Sequence, residues 1–274
     1  MGQSITSLEG FIRKIRDVQP NEDEVLLYRG HAKRLGRKVH PWVLREEDLA
    51  ENEHNMIREI IATHPSEFDH DTTALERLAR AQHYTLPTRL LDVSWNPLVA
   101  LYFAVSGRHS GKPAQVIVFR VKKDHLKYFD SDAVSCIANL SQLKKSEKDS
   151  IDFSLSKSKF NQQDAVDRLL QFVRAEKPHF RSEIEPSHLQ SVFCVKPKMN
   201  SRRILAQSGA FMIFGMIGDL DTNSVPGISI ERININGNKK DIILRELDHM
   251  AINDSTMFPE IDKAASYIRQ QSFF

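Results

Sequence analysis

The sequence feature that most constrains the fold is the run PLVALYFAV, residues 97–105, which is apolar on nearly every face of a helix. Asn96 and Pro97 at its start are typical of a helix N-cap and first helical position. A helix that is apolar all round is stable only when other elements cover it on every side. The run therefore predicts a helix buried in the middle of a domain.

A dense polar segment leads directly into this helix. Hydrogen-bonding side chains held against rigid structure are what a binding or catalytic site requires, so this segment predicts a site built on a loop. It contains Gln82, His83, Thr88, Arg89, Asp92, Ser94 and Asn96.

Each of these residues also has a structural interpretation, which the sequence leaves open. Thr88 and Asp92 can satisfy the backbone of a turn, and Arg89 can pair with Asp92. Asn96 can simply cap the helix. His83 has the side chain of a general acid or base near neutral pH, but a histidine near a helix end is often only a hydrogen-bonded structural residue.

A second candidate site follows the apolar run EVLLY, which predicts a buried strand that ends in a turn at Gly30. Tyr28, Arg29, Gly30 and His31 stand at its end. Glycine lets a ligand approach the backbone, and the guanidinium can donate two hydrogen bonds to a phosphate or carboxylate. The alternative is that Arg29 pairs with an internal carboxylate and Gly30 only makes the turn.

Periodicity along the rest of the chain predicts an α+β fold, with packed helices on a mixed, mostly antiparallel sheet. Residues 1–20 predict an amphipathic helix with Ser7 as N-cap, and residues 21–274 the main domain. A polar stretch at 141–158 predicts a surface loop or the edge of an insertion. Further helices are predicted over 49–61, 75–83, 239–252 and 259–270, and strands over 114–121, 190–195, 210–217 and 228–235.

Charge and cysteine content narrow the function classes. The 38 basic residues nearly balance the 36 acidic ones, so no overall field attracts nucleic acid or an anionic membrane. Cys136 and Cys194 are too few and too far apart for a disulfide framework or zinc site, which favours a cytoplasmic protein without a metal. No close acidic cluster indicates a two-metal nuclease. The N-terminus lacks the unbroken apolar stretch of a signal peptide or membrane span.

Two motifs together resemble the FRG-domain family. They are the aromatic-Arg-Gly triplet at Tyr28 and the later run QHYTLPTRLLDVSWNPLVALYFA. The resemblance extends to RILAQSGAF at 203–211 and MFPEIDKAASYI at 257–268, and it implies that 21–274 is one FRG domain. Thr85 replaces the glycine usual in the family, and Val93-Ser94 replaces its tryptophan-threonine pair. The family is widespread in bacteria and phages, and its name does not define an activity.

The same motifs are more distantly similar to ADP-ribosyltransferases of the arginine-serine-glutamate type. That resemblance implies an ADP-ribosyltransferase-like fold with NAD as substrate, Arg29 on an NAD phosphate and Ser94 at the nicotinamide ribose. The predicted catalytic residues are Arg29, Ser94, Gln207, His83 and Asp92. The predicted NAD-binding residues are Tyr28, Arg29, Gly30, His31, Thr88, Arg89 and Asn96.

The third catalytic element departs from the family pattern, because Gln207 stands where a glutamate is expected. A glutamine can hydrogen-bond a ribose hydroxyl but cannot place a negative charge beside an oxocarbenium ion. Four alternatives stay open. Gln207 suffices for a slow or specialised transferase, a carboxylate such as Asp92 or Glu246 supplies the charge, the fold binds a nucleotide without cleaving it, or Gln207 is a structural amide.

The function predicted from these resemblances is an intracellular, NAD-using effector that transfers ADP-ribose or cleaves NAD, in toxin or antiphage conflict. Its acceptor would be an unknown macromolecule. The alternative is a nucleotide-sensing or protein-binding module that uses the same pocket without chemistry.

Overall fold

The computed structural model describes residues 4–34, 36, 39–107, 111–217, 220, 225–260 and 269. The strands are β1 (Glu24–His31), β2 (Leu90–Ser94), β3 (Ala114–Lys122), β4 (Leu126–Tyr128), β5 (Val192–Lys196), β6 (Gly209–Phe214) and β7 (Ile228–Ile235). The helices are α1 (Leu8–Asp17), α2 (Glu47–Thr63), α3 (Pro65–Phe68), α4 (Ala74–His83), α5 (Pro97–Val105), α6 (Asp132–Asn139), α7 (Lys145–Asp149), α8 (Lys157–Phe160), α9 (Asp164–Glu176), α10 (Pro186–Leu189), α11 (Arg202–Ala206), α12 (Lys240–Asp248) and α13 (Asp254–Met257).

The strands of the described chain form one seven-stranded sheet in the order β4-β5-β6-β2-β1-β3-β7. Only the pair β4–β5 at the edge is parallel, and the other neighbours are antiparallel. Helices pack against the sheet in two apolar clusters. One joins α4, α6 and α9 with β2, β5 and β6, and the other joins α1, α5 and α12 with β1, β3 and β7. The prediction of an α+β fold with a mixed, mostly antiparallel sheet is therefore confirmed.

Helix α5 lies at the centre of the molecule, as its apolar sequence predicts. Leu101, Tyr102 and Ala104 are almost completely buried. Asn96 Oδ1 accepts a hydrogen bond from Leu98 N at 2.9 Å, so the predicted N-cap is present. One face of α5 packs directly on β1. The polar segment before α5 is thus attached to the core at both ends.

Gly30 does not end its strand in a turn, and that prediction was wrong. β1 continues through Gly30, which pairs with Val116, to His31. A Cβ atom at Gly30 would lie 1.9 Å from the carbonyl oxygen of Ala100 and 2.6 Å from the amide nitrogen of Ala104. Glycine is required here because the α5 backbone lies against the strand.

The N-terminal helix belongs to the same packed body. Ser7 Oγ accepts from Gly10 N at 3.1 Å, which confirms the predicted N-cap. Leu8 and Phe11 are buried in the apolar cluster that contains α5, and Ile5 forms a bridge with Ile235. A boundary between an N-terminal helix and the main domain at residue 20 stays a prediction.

Several element predictions need correction. The polar segment before α5 is not all loop, because residues 90–94 form β2 inside the sheet. The stretch 141–158 contains α7, whose Lys148 is buried by pairing with Glu53. The helix predicted over 239–252 ends at Asp248, and the strand over 210–217 ends at Phe214. The closing helix over 259–270 lies almost entirely outside the described residues. No helix among the described residues is long and apolar enough to cross a bilayer.

Candidate functional site

The candidate site lies where two central strands separate. β1 pairs with β3 along its whole length, but it pairs with β2 only where Tyr28 faces Ser94. Beyond this pair a cavity of about 180 Å³ opens between the strands, which we call the split cleft. The residues that line it include Tyr28, Arg29, Gly30, Asp92, Ser94, Phe103, Arg203 and Gln207.

A larger cavity of about 320 Å³ adjoins the split cleft, and we call it the wide lobe. Four residues line both cavities, namely Asp92, Val93, Arg203 and Gln207. Its other walls include Gln82, His83, Tyr84, Phe129 and Lys198. The two cavities share part of their lining and form one concave surface, on which α4, α11 and β2 present polar side chains.

Of the residues that the structure describes, Arg29 is one of two arginines that line the split cleft, together with Arg203. Its Nη1 donates to the backbone carbonyl of Asp92 and lies 3.8 Å from Asp92 Oδ2, with 21% of the Arg29 side chain exposed. Burial lowers the pKa of the Arg29 guanidinium, although the Asp92 carboxylate offsets part of this effect. The side chain stays charged because arginine does not lose its proton in proteins. Its Nε is buried and has no partner among the described residues, so it can still serve a ligand anion.

His31 follows Arg29 by two positions but is not among the residues that line the cleft. Burial and the charges of Arg29, Arg45 and Arg232 lower the pKa of His31 to about 3. The imidazole is therefore neutral near pH 7. Its Nε2 is buried and has no partner among the described residues. Arg45 and Arg232 add positive charge near His31 and Arg29, alongside the negative charge of Asp92, and this positive charge favours an anion there.

A chain of three side chains orients the Asp92 carboxylate. The Thr88 hydroxyl donates to Gln82 Oε1, and Gln82 Nε2 donates to Asp92 Oδ1 at 2.7 Å. Thr88 is buried, whereas 62% of the Asp92 side chain is exposed. Thr88 thus acts behind the cavities by positioning Gln82, and Asp92 is the member that a ligand can reach.

Ser94 and Gln207 meet inside the split cleft. Ser94 Oγ donates to the backbone carbonyl of Gln207 at 2.7 Å and accepts from Asn96 N at 3.0 Å. The side-chain amide of Gln207 donates to the carbonyl of Met257 at 2.9 Å. Asn96 is occupied as the cap of α5. The predicted convergence of Arg29, Ser94 and Gln207 in one cavity is present, and the Gln207 amide also holds α13.

Arg89 is not part of either cavity. It is 2% exposed, and its guanidinium pairs with Glu53 and donates to the carbonyl of Phe214 at 2.9 Å. Glu53 also accepts from Lys148 at 2.6 Å. Burial alone would raise the pKa of Glu53, but the two cations outweigh this effect and hold it at about 2. The suggested pairing of Arg89 with Asp92 is therefore wrong, because Glu53 is the partner of Arg89.

Sequence reasoning missed one residue that lines the site, Arg203, and one that lies next to it, Glu260. Arg203 lines both cavities and stacks over the ring of Phe258, with 5.2 Å between the guanidinium carbon and the ring centroid. Glu260 Oε1 lies 4.0 Å from Nε2 of His83, which lines the wide lobe. Both belong to segments that carried the family resemblance, which was the available signal. Glu246, considered earlier as a carboxylate, instead accepts from Leu8 N at 2.9 Å.

Within the part of the chain that the structure describes, no group of three or more His, Cys, Asp or Glu side chains is arranged to hold a metal ion. The two cysteines are buried, and burial raises the pKa of each thiol to about 12. Neither is a reactive thiolate near neutral pH. The polar groups that the described residues present at the site are the arginine, carboxylate, hydroxyl, amide and imidazole groups given above.

Comparison with known proteins agrees with the family resemblance for one part of the chain. The family model of the FRG domain matches residues 24–112, which include β1, β2 and α5. No curated protein and no solved structure matches the chain. The FRG expectation is confirmed for residues 24–112, and the split cleft is built largely from that segment. The resemblance to ADP-ribosyltransferases remains a prediction.

Proposed function

We propose that this FRG-domain chain binds NAD in the split cleft and uses it for ADP-ribosyl transfer or hydrolysis. The observation that carries the proposal is that Arg29, Ser94 and Gln207, from distant parts of the sequence, line one cavity. They are the three residues that the ADP-ribosyltransferase resemblance selects. Two of them, Ser94 and Gln207, are in direct hydrogen-bond contact.

The chemical requirements of NAD fit this cavity. NAD carries an anionic pyrophosphate, and Arg29 keeps a buried donor without a partner among the described residues. Cationic neighbours around Arg29 add to the attraction. Ser94 and the Asp92 carboxylate offer polar groups for ribose hydroxyls. Cleavage of the bond between the ribose and nicotinamide creates positive charge on the ribose, which a nearby carboxylate stabilises.

A second candidate function is a nucleotide-sensing or protein-binding module that uses the same cleft without chemistry. The charge and the hydrogen bond of the Gln207 side chain favour this non-catalytic function. This side chain is neutral, and its amide nitrogen already donates to the carbonyl of Met257. An amide in that position holds the wall of the cleft together and contributes no charge to a transition state. In this case NAD or ADP-ribose would bind and remain intact.

In either case the biological role we propose is that of a cytoplasmic effector or sensor in toxin or antiphage conflict. The catalytic version transfers ADP-ribose to a macromolecular acceptor or releases it into water. The near neutrality of the chain, +2 at pH 7, gives no reason to favour nucleic acid as that acceptor.

The test is incubation of the purified protein with NAD labelled in its ADP-ribose part, with and without cell lysate, while nicotinamide release and label transfer are followed. We expect product from the wild type and a loss of at least about tenfold in Arg29→Ala, since a charge-assisted contact to phosphate is removed. Arg13→Ala is the matched control, because Arg13 is an exposed arginine on α1.

Titration calorimetry with NAD and ADP-ribose separates the two functions. Saturable binding without product or label transfer supports the non-catalytic module. Absence of both binding and product in the wild type contradicts both functions. Equal activity of Arg29→Ala and the wild type would contradict the assignment of the split cleft.

A further inference from the structure

We infer that Glu260 is the catalytic carboxylate of this site, which faces the reacting ribose of NAD, and that His83 positions it. The inference rests on the proposed function and assigns the negative charge that Gln207 does not supply. It comes from the contacts that residues 257–260 make with side chains lining the two cavities.

The segment 257–260 is fastened to the wall that the two cavities share. Gln207 donates its amide to the carbonyl of Met257, and Arg203 stacks on the ring of Phe258. Both Gln207 and Arg203 line the split cleft and the wide lobe. The Phe258 ring also makes an edge contact with Phe103, which lines the split cleft, at 5.9 Å between centroids.

The segment 257–260 is held in place through α13, which leads into it. Tyr102, buried in α5, donates its hydroxyl to the Asp254 carboxylate at the first residue of α13. Burial and this hydrogen bond raise the pKa of Tyr102, so the hydroxyl remains a donor. Thr256 N donates to Asn253 Oδ1 at 3.1 Å, which caps α13. Glu260 therefore follows a short helix that is tied to the central helix of the molecule.

Glu260 presents an unsatisfied acceptor. Its Oε1 lies 4.0 Å from His83 Nε2, while its Oε2 is buried and accepts no hydrogen bond from the described residues. An ionised carboxylate can only accept, so its complement is a hydroxyl donor or a developing cation. Arg29 Nε is a buried donor without a partner among the described residues, so its complement is an anion. A ligand that carries a pyrophosphate and hydroxylated ribose meets both requirements.

Asp92 is less suited to the same role. Its Oδ1 accepts from Gln82, and its Oδ2 lies 3.8 Å from the charged Arg29. Its side chain is 62% exposed, whereas that of Glu260 is 33% exposed. A charge that is already compensated and surrounded by water stabilises a nearby cation less than one that is partly buried. Asp92 therefore serves to orient Arg29 and the bound ribose.

The reaction that this arrangement performs is transfer of ADP-ribose from NAD to an acceptor hydroxyl or to water. The bond between ribose C1′ and the nicotinamide nitrogen breaks, and its electron pair leaves with neutral nicotinamide. The Glu260 carboxylate stabilises the cation at C1′. An acceptor hydroxyl or water attacks C1′ and gives its proton to Glu260, from which it passes to solvent. The products are ADP-ribosylated acceptor or ADP-ribose, nicotinamide and one proton.

The experiment compares Glu260→Gln with Asp92→Asn and the wild type in two measurements, nicotinamide release and NAD affinity by calorimetry. We expect Glu260→Gln to lower release at least about 100-fold, the loss typical of a removed transition-state contact, while the Kd changes less than about threefold. Asp92→Asn should lose less of the rate. Glu51→Gln, an exposed glutamate on α2, is the matched control and should match the wild type.

His83→Gln tests the positioning role, because it should change the pH dependence of kcat while NAD affinity is kept. Release from Glu260→Gln within about threefold of the wild type, or a larger loss in Asp92→Asn, overturns the inference while the proposed function stands. Wild type that binds NAD without releasing nicotinamide, with or without lysate, also overturns it. Wild type that neither binds nor cleaves NAD overturns the proposed function itself.

Discussion

At the scale of single residues, the site depends on a glycine as much as on charged groups. Gly30 lets the backbone of α5 lie against β1, next to the point where β1 and β2 separate. Sequence reasoning selected Gly30 correctly as special but gave it a turn, because the partner that requires a glycine is distant in sequence. Contacts of this kind cannot be derived from local patterns.

Substitution of Gly30 by alanine should destabilise the fold. The new methyl group would meet the backbone of Ala100, which cannot move without shifting the central helix, so we expect a loss of about 1–3 kcal/mol in the free energy of unfolding. Urea-induced unfolding measures this quantity. Gly36→Ala is the control, because no atom of the described residues lies within 4 Å of a Cβ there. Equal stability of the two variants would show that α5 does not lie this close to β1.

The polar residues selected from the sequence were predictable to different degrees. Arg29, Ser94 and Gln207 were selected from motifs, and they line one cavity. Arg89 was not predictable, because its partner Glu53 is on a helix whose sequence is mostly polar and gives no sign that this residue is buried. Motifs identify residues, but the partner of a buried charge is set by tertiary packing.

At the scale of elements, β2 is a strand whose sequence does not identify it as one. The strand is five residues, LLDVS, in which only Asp92 is exposed. With polar residues on both sides, such a short run is hard to distinguish from a loop. Pairing with β6 along its whole length makes it a strand. Strands β3, β5 and β6 were predicted because their apolar runs are longer, and β7 because its isoleucines alternate with polar residues.

The buried cluster of Glu53, Arg89 and Lys148 joins α2, the start of β2 and α7. Glu53→Gln should cost about 3–5 kcal/mol of stability at pH 7, because it leaves two buried cations without a counter-charge. Glu51→Gln on the exposed face of α2 should change stability by less than about 0.5 kcal/mol. Urea unfolding of the three proteins gives both values.

The difference in stability between the wild type and Glu53→Gln should depend on pH. The pKa of Glu53 is about 2 in the folded chain, below its ordinary value of 4.5. A depressed carboxyl pKa contributes stability that is complete above the unfolded pKa and is lost as pH falls through the folded pKa. The difference between wild type and Glu53→Gln should thus be constant above about pH 5 and shrink between about pH 4.5 and 2. A difference independent of pH would contradict the ion cluster.

At the scale of the whole molecule, the α+β class and most elements follow from the sequence, but the cleft does not. Periodicity locates β1 and the apolar helix α5 without showing that β1 pairs with β2 at a single position. Strand order and register depend on pairing between segments far apart in the chain. The cleft exists because β1 and β2 separate after a single paired position. The three candidate residues indicated a site from the sequence, but only the structure shows the cavity between the two strands.

The central claim is that this cleft holds NAD by its pyrophosphate, and the most direct test is a crystal structure of the protein grown with NAD or ADP-ribose. The account predicts the nucleotide between β1 and β2, with a pyrophosphate oxygen within hydrogen-bonding distance of Arg29 and the ribose beside Ser94 and Glu260. A nucleotide bound outside both cavities, or no nucleotide at a concentration that saturates binding in solution, would contradict it.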